Sequence, residues 1–259
     1  MNQPFALVRD EVAFTWPVDP AWCSWNGLWG GAVLGLAVQA LELESQRPVR
    51  ALNAAFLSAV NVGDSLTIVP EMRVMRKEIA QAAVVVDAGH GRVLDGTAVL
   101  GLVPDSLITG QRPPLGPEPE DCPARSWMKP IPGGLQETLE ARIAGTESHR
   151  VLLWTRCVGA GDVPMSAPLI AAAADYPAFS VTLATGGHYF GITLDTALRF
   201  FDPPHDCPGD SWLLLDNEFD GMAQNVAMAR ARVWLGDQLV ATCEQTLRLR
   251  AKDAFKPVS

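Results

Sequence analysis

Along residues 239–250 apolar and polar positions alternate. Leu239, Ala241, Cys243, Leu247 and Leu249 occupy odd positions, and Thr242, Glu244, Thr246, Arg248 and Arg250 even ones. A period of two predicts a strand with one dry and one wet face. Gln245 falls on the dry side, where an unpartnered amide costs roughly 1–3 kcal/mol. It therefore either completes a structural hydrogen-bond network or is held there to handle a ligand or a water. A second strand-like run, 231–235, precedes this one, and Gly236-Asp237 between them predicts a hairpin. The same reading predicts strands over 5–16, 49–57, 65–73, 81–88, 92–103, 135–143 and 150–158, and further strands from Gly191 onward. The period becomes helical over 28–43, with Asn26-Gly27 at the N-cap position, and again over a short alanine-rich stretch, 167–176. Gly27, Gly30, Gly31 and Gly35 each cost about 1 kcal/mol in a helix relative to alanine. Two explanations stand side by side: a helix pressed hard against a sheet, or backbone N–H groups left open to polarise a ligand carbonyl.

Eight prolines between Pro104 and Pro132 interrupt all periodicity and predict a semi-extended connector outside the core. Beyond it the pattern of the first half restarts. Gly63-Asp64-Ser65 recurs as Gly209-Asp210-Ser211, an offset of 209 − 63 = 146, which sets the Gly236 turn against His90 in the first half's own turn. The chain thus reads as a repeat, 1–104, a connector, 105–133, and a second repeat, 134–259. At this offset Gln245 falls opposite Val99 and Asp220 opposite Val74; with four extra residues allowed near 202–208, Asp195 falls opposite Asn53. Polar groups gather in the second half where the first is mostly apolar.

Composition narrows the function classes. Of 259 residues, 48% are hydrophobic and 19% charged, and no apolar run approaches the roughly 18 residues that cross a bilayer. The first residues form neither a basic n-region nor an apolar h-region, so the expected location is cytoplasmic, without membrane association. A net charge of −9 argues against a nucleic-acid partner. Five scattered cysteines without CxxC spacing suggest neither a disulfide framework nor a zinc site. There is no GxSxG elbow and no HExxH among His90, His149, His188 and His205; His205-Asp206-Cys207 suits a capped loop better than a metal. Arg73, Arg76 and Lys77 suit a solvated strand end better than a nucleotide-phosphate contact. Trp16, Trp22, Trp25 and Trp29 crowd the first helix and could line an acyl pocket as well as fill a core.

Several of these stretches together resemble the acyl-CoA thioesterase II type, the double hotdog thioesterases. They are Gly27-Leu28-Trp29-Gly30-Gly31, the run LNAAFLSAVNVG at 52–63, Leu194-Asp195 followed by Phe200-Phe201-Asp202, Trp212-Leu213-Leu214, and Leu239-Val240-Ala241 leading to Gln245. The resemblance implies an α+β, tandem (double) hotdog fold with two antiparallel sheets, each wrapped around a long helix and joined edge to edge. It implies a chemistry in which an aspartate, a hydroxyl residue and a glutamine position the water that attacks a thioester, without metal, cofactor or covalent intermediate. Asp195 matches the aspartate and Gln245 the glutamine. The hydroxyl position falls on Asp220, a departure, because two ionised carboxylates on one water repel and raise the pKa of one of them. Asn53 stands where members often carry histidine. Gly30 and Gly31, with Trp29, match the oxyanion and substrate-binding helix start. The implied function is hydrolysis of a fatty or aryl acyl-CoA by a chain that forms homo-oligomers. The alternative is a non-catalytic acyl-CoA-binding or assembly protein, and a hydratase is disfavoured because no histidine accompanies Asp195.

Overall fold

The computed structural model describes residues 4–24, 27–101, 111–124, 131–201 and 206–251. Trp25, the expected cap Asn26, the boundary residue Pro104, Asp202 and His205 lie outside the described residues. The first half contains β1 (Val8–Arg9), β2 (Phe14–Pro17), β3 (Cys23–Ser24), β4 (Gly27–Leu28), α1 (Gly30–Ser45), β5 (Val49–Phe56), β6 (Ser65–Met75), β7 (Ile79–Ala88) and β8 (Gly91–Gly101). The second contains α2 (Leu135–Thr138), β9 (Leu139–Thr146), β10 (Arg150–Cys157), α3 (Ala167–Ala173), α4 (Pro177–Ala184), β11 (Tyr189–Phe200), β12 (Leu213–Ala223), β13 (Val226–Leu235) and β14 (Gln238–Ala251).

Except for the β3–β4 pair, the strands form one sheet in the order β1-β2-β6-β7-β8-β5-β11-β14-β13-β12-β10-β9. The order β2-β6-β7-β8-β5 in one half is mirrored by β10-β12-β13-β14-β11 in the other. The halves meet where β5 and β11 pair antiparallel, from Asp195↔Ala55 to Arg199↔Ala51. This corrects the expectation of two sheets each around a long helix: the sheet is continuous, and among the described residues only the first half has a long helix. The cause is local. The run Ala167–Ala184 is long and apolar enough to span a bilayer by composition alone, contrary to the expectation of no such run, yet 78% of it is buried inside the molecule. Pro177 has no N–H to continue a helix and restricts the residue before it, so the run breaks into α3 and α4 with Asp175 at the elbow.

α1 is buried on every side from Gly31 to Leu41 because the sheet wraps one face and α3 lies on another. Its glycines make the second contact possible. A Cβ at Gly35 would stand 2.7 Å from the Pro168 carbonyl oxygen and 2.7 Å from the Phe5 ring, and one at Gly31 would collide with the Ala172 carbonyl. Gly31 and Gly35 are one helical turn apart, as are Pro168 and Ala172, so a stripe on α1 fits against a stripe on α3. The close-packing explanation therefore accounts for these two glycines. The helix itself begins at Gly30 with Trp29 at the cap, two residues later than the helical period from 28 suggests. Gly27, with φ +106°, belongs to the preceding turn.

The proline-rich stretch has a structural task. Among its described residues, the Pro123 carbonyl accepts from the Ile143 N–H at 3.0 Å, the Pro119 carbonyl from Arg142 Nη1 at 2.9 Å, and the Pro117 carbonyl from Trp154 Nε1 at 2.9 Å. Prolines cannot donate to a ladder but can accept, so this strap covers the outermost strand, β9, without offering a new edge.

Register decides which residues of the two halves correspond. The bulges and turns match at an offset of 147: the Ala88↔Gly91 pair that closes one hairpin corresponds to Leu235↔Gln238 in the other (235 − 88 = 147), and the bulge after Met72 to the one after Phe219. The offset of 146 from the Gly63 and Gly209 tripeptides is thus one residue short within the strands. One residue exchanges the faces of a sheet. Gln245 corresponds to buried Ala98, not to Val99, which is 36% exposed.

Candidate active site

Asp175 occupies the elbow between α3 and α4, and the fold turns its carboxylate onto the start of α1 from the other half. The Gly31 N–H donates to it. A Cβ at Gly30 would stand 2.6 Å from Asp175 Oδ2 and 3.5 Å from the Phe56 ring, so only glycine lets the acid sit there. From the sheet side come Thr196 on β11 and Gln245 on β14, direct cross-strand partners on the dry face. Gln245 Nε2 donates to Asp175 Oδ1 at 2.5 Å and lies 3.3 Å from Thr196 Oγ1, to which its second N–H points. Asp175, Thr196 and Gln245 are 6%, 2% and 3% exposed.

Electrostatics and hydrogen bonding oppose one another here. Burial pushes the Asp175 carboxyl up to about 7, against the lowering effect of the bonds from Gln245 and the Gly31 N–H. The positive end of α1 also favours the ionised form. A carboxylate that titrates near neutrality is matched to take and return a proton at working pH. The amide spends both of its N–H donors on Asp175 and Thr196, while its Oε1 is buried without a protein partner. Thr196 Oγ1 accepts from the amide and keeps its own hydrogen to donate. One acceptor, one hydroxyl donor and one basic oxygen thus converge on a dry spot at a helix N-terminus.

The residues singled out from the sequence are only partly brought together. Gln245, Gly30 and Gly31 meet at this spot. Trp29 adjoins it, its indole N–H donating to the Ala172 carbonyl at 2.8 Å. Asp195 does not reach it: it is exposed, paired with Ala55 and Thr246, and shares the wet face with Arg199, whereas its neighbour Thr196 shares the dry face with Leu198 and Phe200. Asp220 is the bulge residue of β12, exposed and 3.5 Å from Arg230. Asn53 is on the outer face as well, where its Oδ1 accepts from Arg199 Nη2 at 2.9 Å. A one-residue alternation accounts for Asp195, since the dry positions of β11 can be read from Leu198 and Phe200. Asp175 also left a signal, a single acid in an otherwise apolar stretch and two residues before a proline, because a buried carboxylate requires partners. Asp195→Asn should leave turnover at the parent rate and change stability by no more than about 0.5 kcal/mol, as surface substitutions do; an initial-rate assay with a denaturant melt checks both.

Two family models match the chain, one in each half. Residues 18–101 match the family model of the acyl-CoA thioesterase N-terminal domain, and residues 105–249 that of the acyl-CoA thioesterase C-terminal domain. Among solved structures, a putative thioesterase from Novosphingobium aromaticivorans is 27% identical, with a TM-score of 0.85 over 96% of this chain and 100% of that one. A hot dog fold protein of unknown function from Alicyclobacillus acidocaldarius is 20% identical (TM-score 0.83; 95% and 96% of the two chains), and acyl-CoA thioesterase II TesB2 from Mycobacterium marinum is 17% identical (TM-score 0.74; 98% of each). These two likenesses are of fold. No curated protein matches the sequence. With both family models matched in order along one chain whose sheet and hot dog neighbours agree, the chain belongs to the acyl-CoA thioesterase family and is a thioester hydrolase.

Proposed function

We propose that the chain hydrolyses a fatty or aryl acyl-CoA with a water held by Asp175, Thr196 and Gln245. The observation that carries this reading is the Gln245 amide, which bridges a near-neutral carboxyl and a hydroxyl in a dry site and leaves its own oxygen unpartnered. Gln245 Oε1 accepts one O–H of the water and Asp175 takes the other proton as the water oxygen attacks the thioester carbonyl carbon. The resulting oxyanion faces the start of α1, where the Gly30 N–H and the helix dipole stabilise it; the Gly31 N–H is already committed to Asp175. Collapse breaks the C–S bond, and the proton on Asp175 passes to the departing thiolate, giving a free acid and a thiol. Gln245 keeps the role that the resemblance gave it, and Asp175 takes the one given to Asp195. The two repeats, 1–104 and 134–259, are then read as tandem hotdog units joined through the 105–133 strap, with one water-activating site between them.

The base must be ionised, so kcat/KM should climb as pH rises through about 7 and level off above it. Free-thiol release from a panel of acyl-CoA esters, measured across pH, tests both chemistry and substrate class. Binding of every ester without thiol release would overturn hydrolysis in favour of a binding protein; a rate independent of pH between 5 and 9 would remove Asp175 from the role of base.

A further inference from the structure

We propose that Trp29 is a positioning residue for the reaction: its indole clamps the α3–α4 elbow to the start of α1 and thereby fixes the Asp175 carboxylate between Gly30, Gly31 and Gln245. The proposal rests on the reading of Asp175 as the base, and adds what holds that base in place.

Trp29 stands at the N-cap of α1 yet gives its own helix no side-chain cap. Its Nε1–H instead crosses to the second half and donates to the Ala172 carbonyl at 2.8 Å. Ala172 lies in the last turn of α3, where carbonyls have no partner within the helix. The same indole contacts the Tyr176 ring, with centroids 5.1 Å apart and planes at 49°. Residues 172 and 176 bracket Asp175, so one side chain holds the elbow on both sides of the acid. Gly31 belongs to the same device, because a Cβ there would collide with both Trp29 Nε1 and the Ala172 carbonyl. No other side-chain bond between α1 and α3 is seen among the described residues, although the helix faces are in contact along Gly31 and Gly35.

The setting of Asp175 depends on burial more than on neighbouring charge. The titratable side chains that adjoin it are Cys243 on β14, which is fully buried, and its chain neighbour Tyr176. Neither α1 nor α4 has an acidic or basic residue in its first turn. β5 contributes Phe56, β11 contributes Thr196, and Glu244 beside Gln245 is exposed on the other face. Releasing the elbow therefore admits water to Asp175 without bringing in a new charge, and its carboxyl falls back from about 7 towards the ordinary carboxylate range.

Trp29→Phe keeps the ring against Tyr176 and removes the donor. Because phenylalanine also leaves a gap, a second variant replaces the indole N–H by sulfur, with benzothienylalanine at position 29. In both, the acidic limb of the kcat/KM profile should move down by about one pH unit or more. The rate at pH 8 should fall between about ten- and a hundred-fold from misplacement of the base, with KM little changed. A purely structural role lowers only the amount of folded enzyme, which scales the profile without moving its midpoint. If Asp175→Asn loses the limb but both Trp29 variants keep the parent midpoint, the assignment of Trp29 is overturned and the reading of Asp175 stands. If the limb persists in Asp175→Asn, the reading of Asp175 itself falls, and this inference with it.

Discussion

Asp175→Asn should lower turnover by about 10²–10⁴-fold, the usual contribution of a general base, while acyl-CoA affinity stays near that of the parent. Asparagine fits the same space and can still accept from the Gly31 N–H, but it cannot take a proton from water. It also tests the buried charge. Asp175 has a folded pKa of about 7 against an unfolded value of about 3.9, so the folded state binds the proton more tightly. Its favourable contribution is full below about pH 4 and is lost as pH rises through about 7. The parent should therefore lose on the order of a few kcal/mol of stability across that window on account of this one group, and Asp175→Asn should lack that decline. Denaturant melts at pH 4, 6 and 8 for both proteins measure it; parallel pH dependences would mean that the carboxyl is not held protonated by burial.

The second large effect is expected at Gly31. Gly31→Ala puts a methyl group into the Ala172 carbonyl and the Trp29 indole, and neither can give way, because the carbonyl is backbone and the indole is bonded to it. Overpacking of this kind costs roughly 1–3 kcal/mol, or about 2–4 °C in melting temperature per kcal/mol for a chain of this size. Gly31 also donates its N–H to Asp175, so separating α1 from α3 should lower kcat by more than the loss of folded protein explains. Rates normalised to the folded fraction distinguish the two effects. A Gly31→Ala protein with the parent's melt and the parent's kcat would show that the helices have slack at this contact.

The sequence by itself determined the strands, because alternation is a local property. β5 to β8, β10 and the β13–β14 hairpin lie on the strand-like runs, whereas the run 135–143 opens as the single turn α2 before β9, and the dry row of β14 that includes Gln245 is legible from Leu239, Ala241, Cys243, Leu247 and Leu249. The repetition of the two halves was visible as well, to within one residue. That one residue mattered. Bulges after Met72 and Phe219 and the exact closure of each hairpin set the register, and these are decided when strands pair. A slip of one exchanges inside for outside: Asp195, matched by resemblance, lies on the wet face while its neighbour Thr196 meets Gln245, and Asp220 is an exposed bulge residue two strands away from β14. Asp175 lies seventy residues from Gln245 along the chain, and nothing local joins them. Tertiary structure brought them together through three separate facts: Pro177 breaks an apolar run at the acid, Gly31 and Gly35 let α3 settle onto α1, and β11 pairs with β14 so that Thr196 meets Gln245. Periodicity reports which face of an element is dry; only the packing of elements from both halves decides which polar groups share the dry space, and hence where a water can be activated.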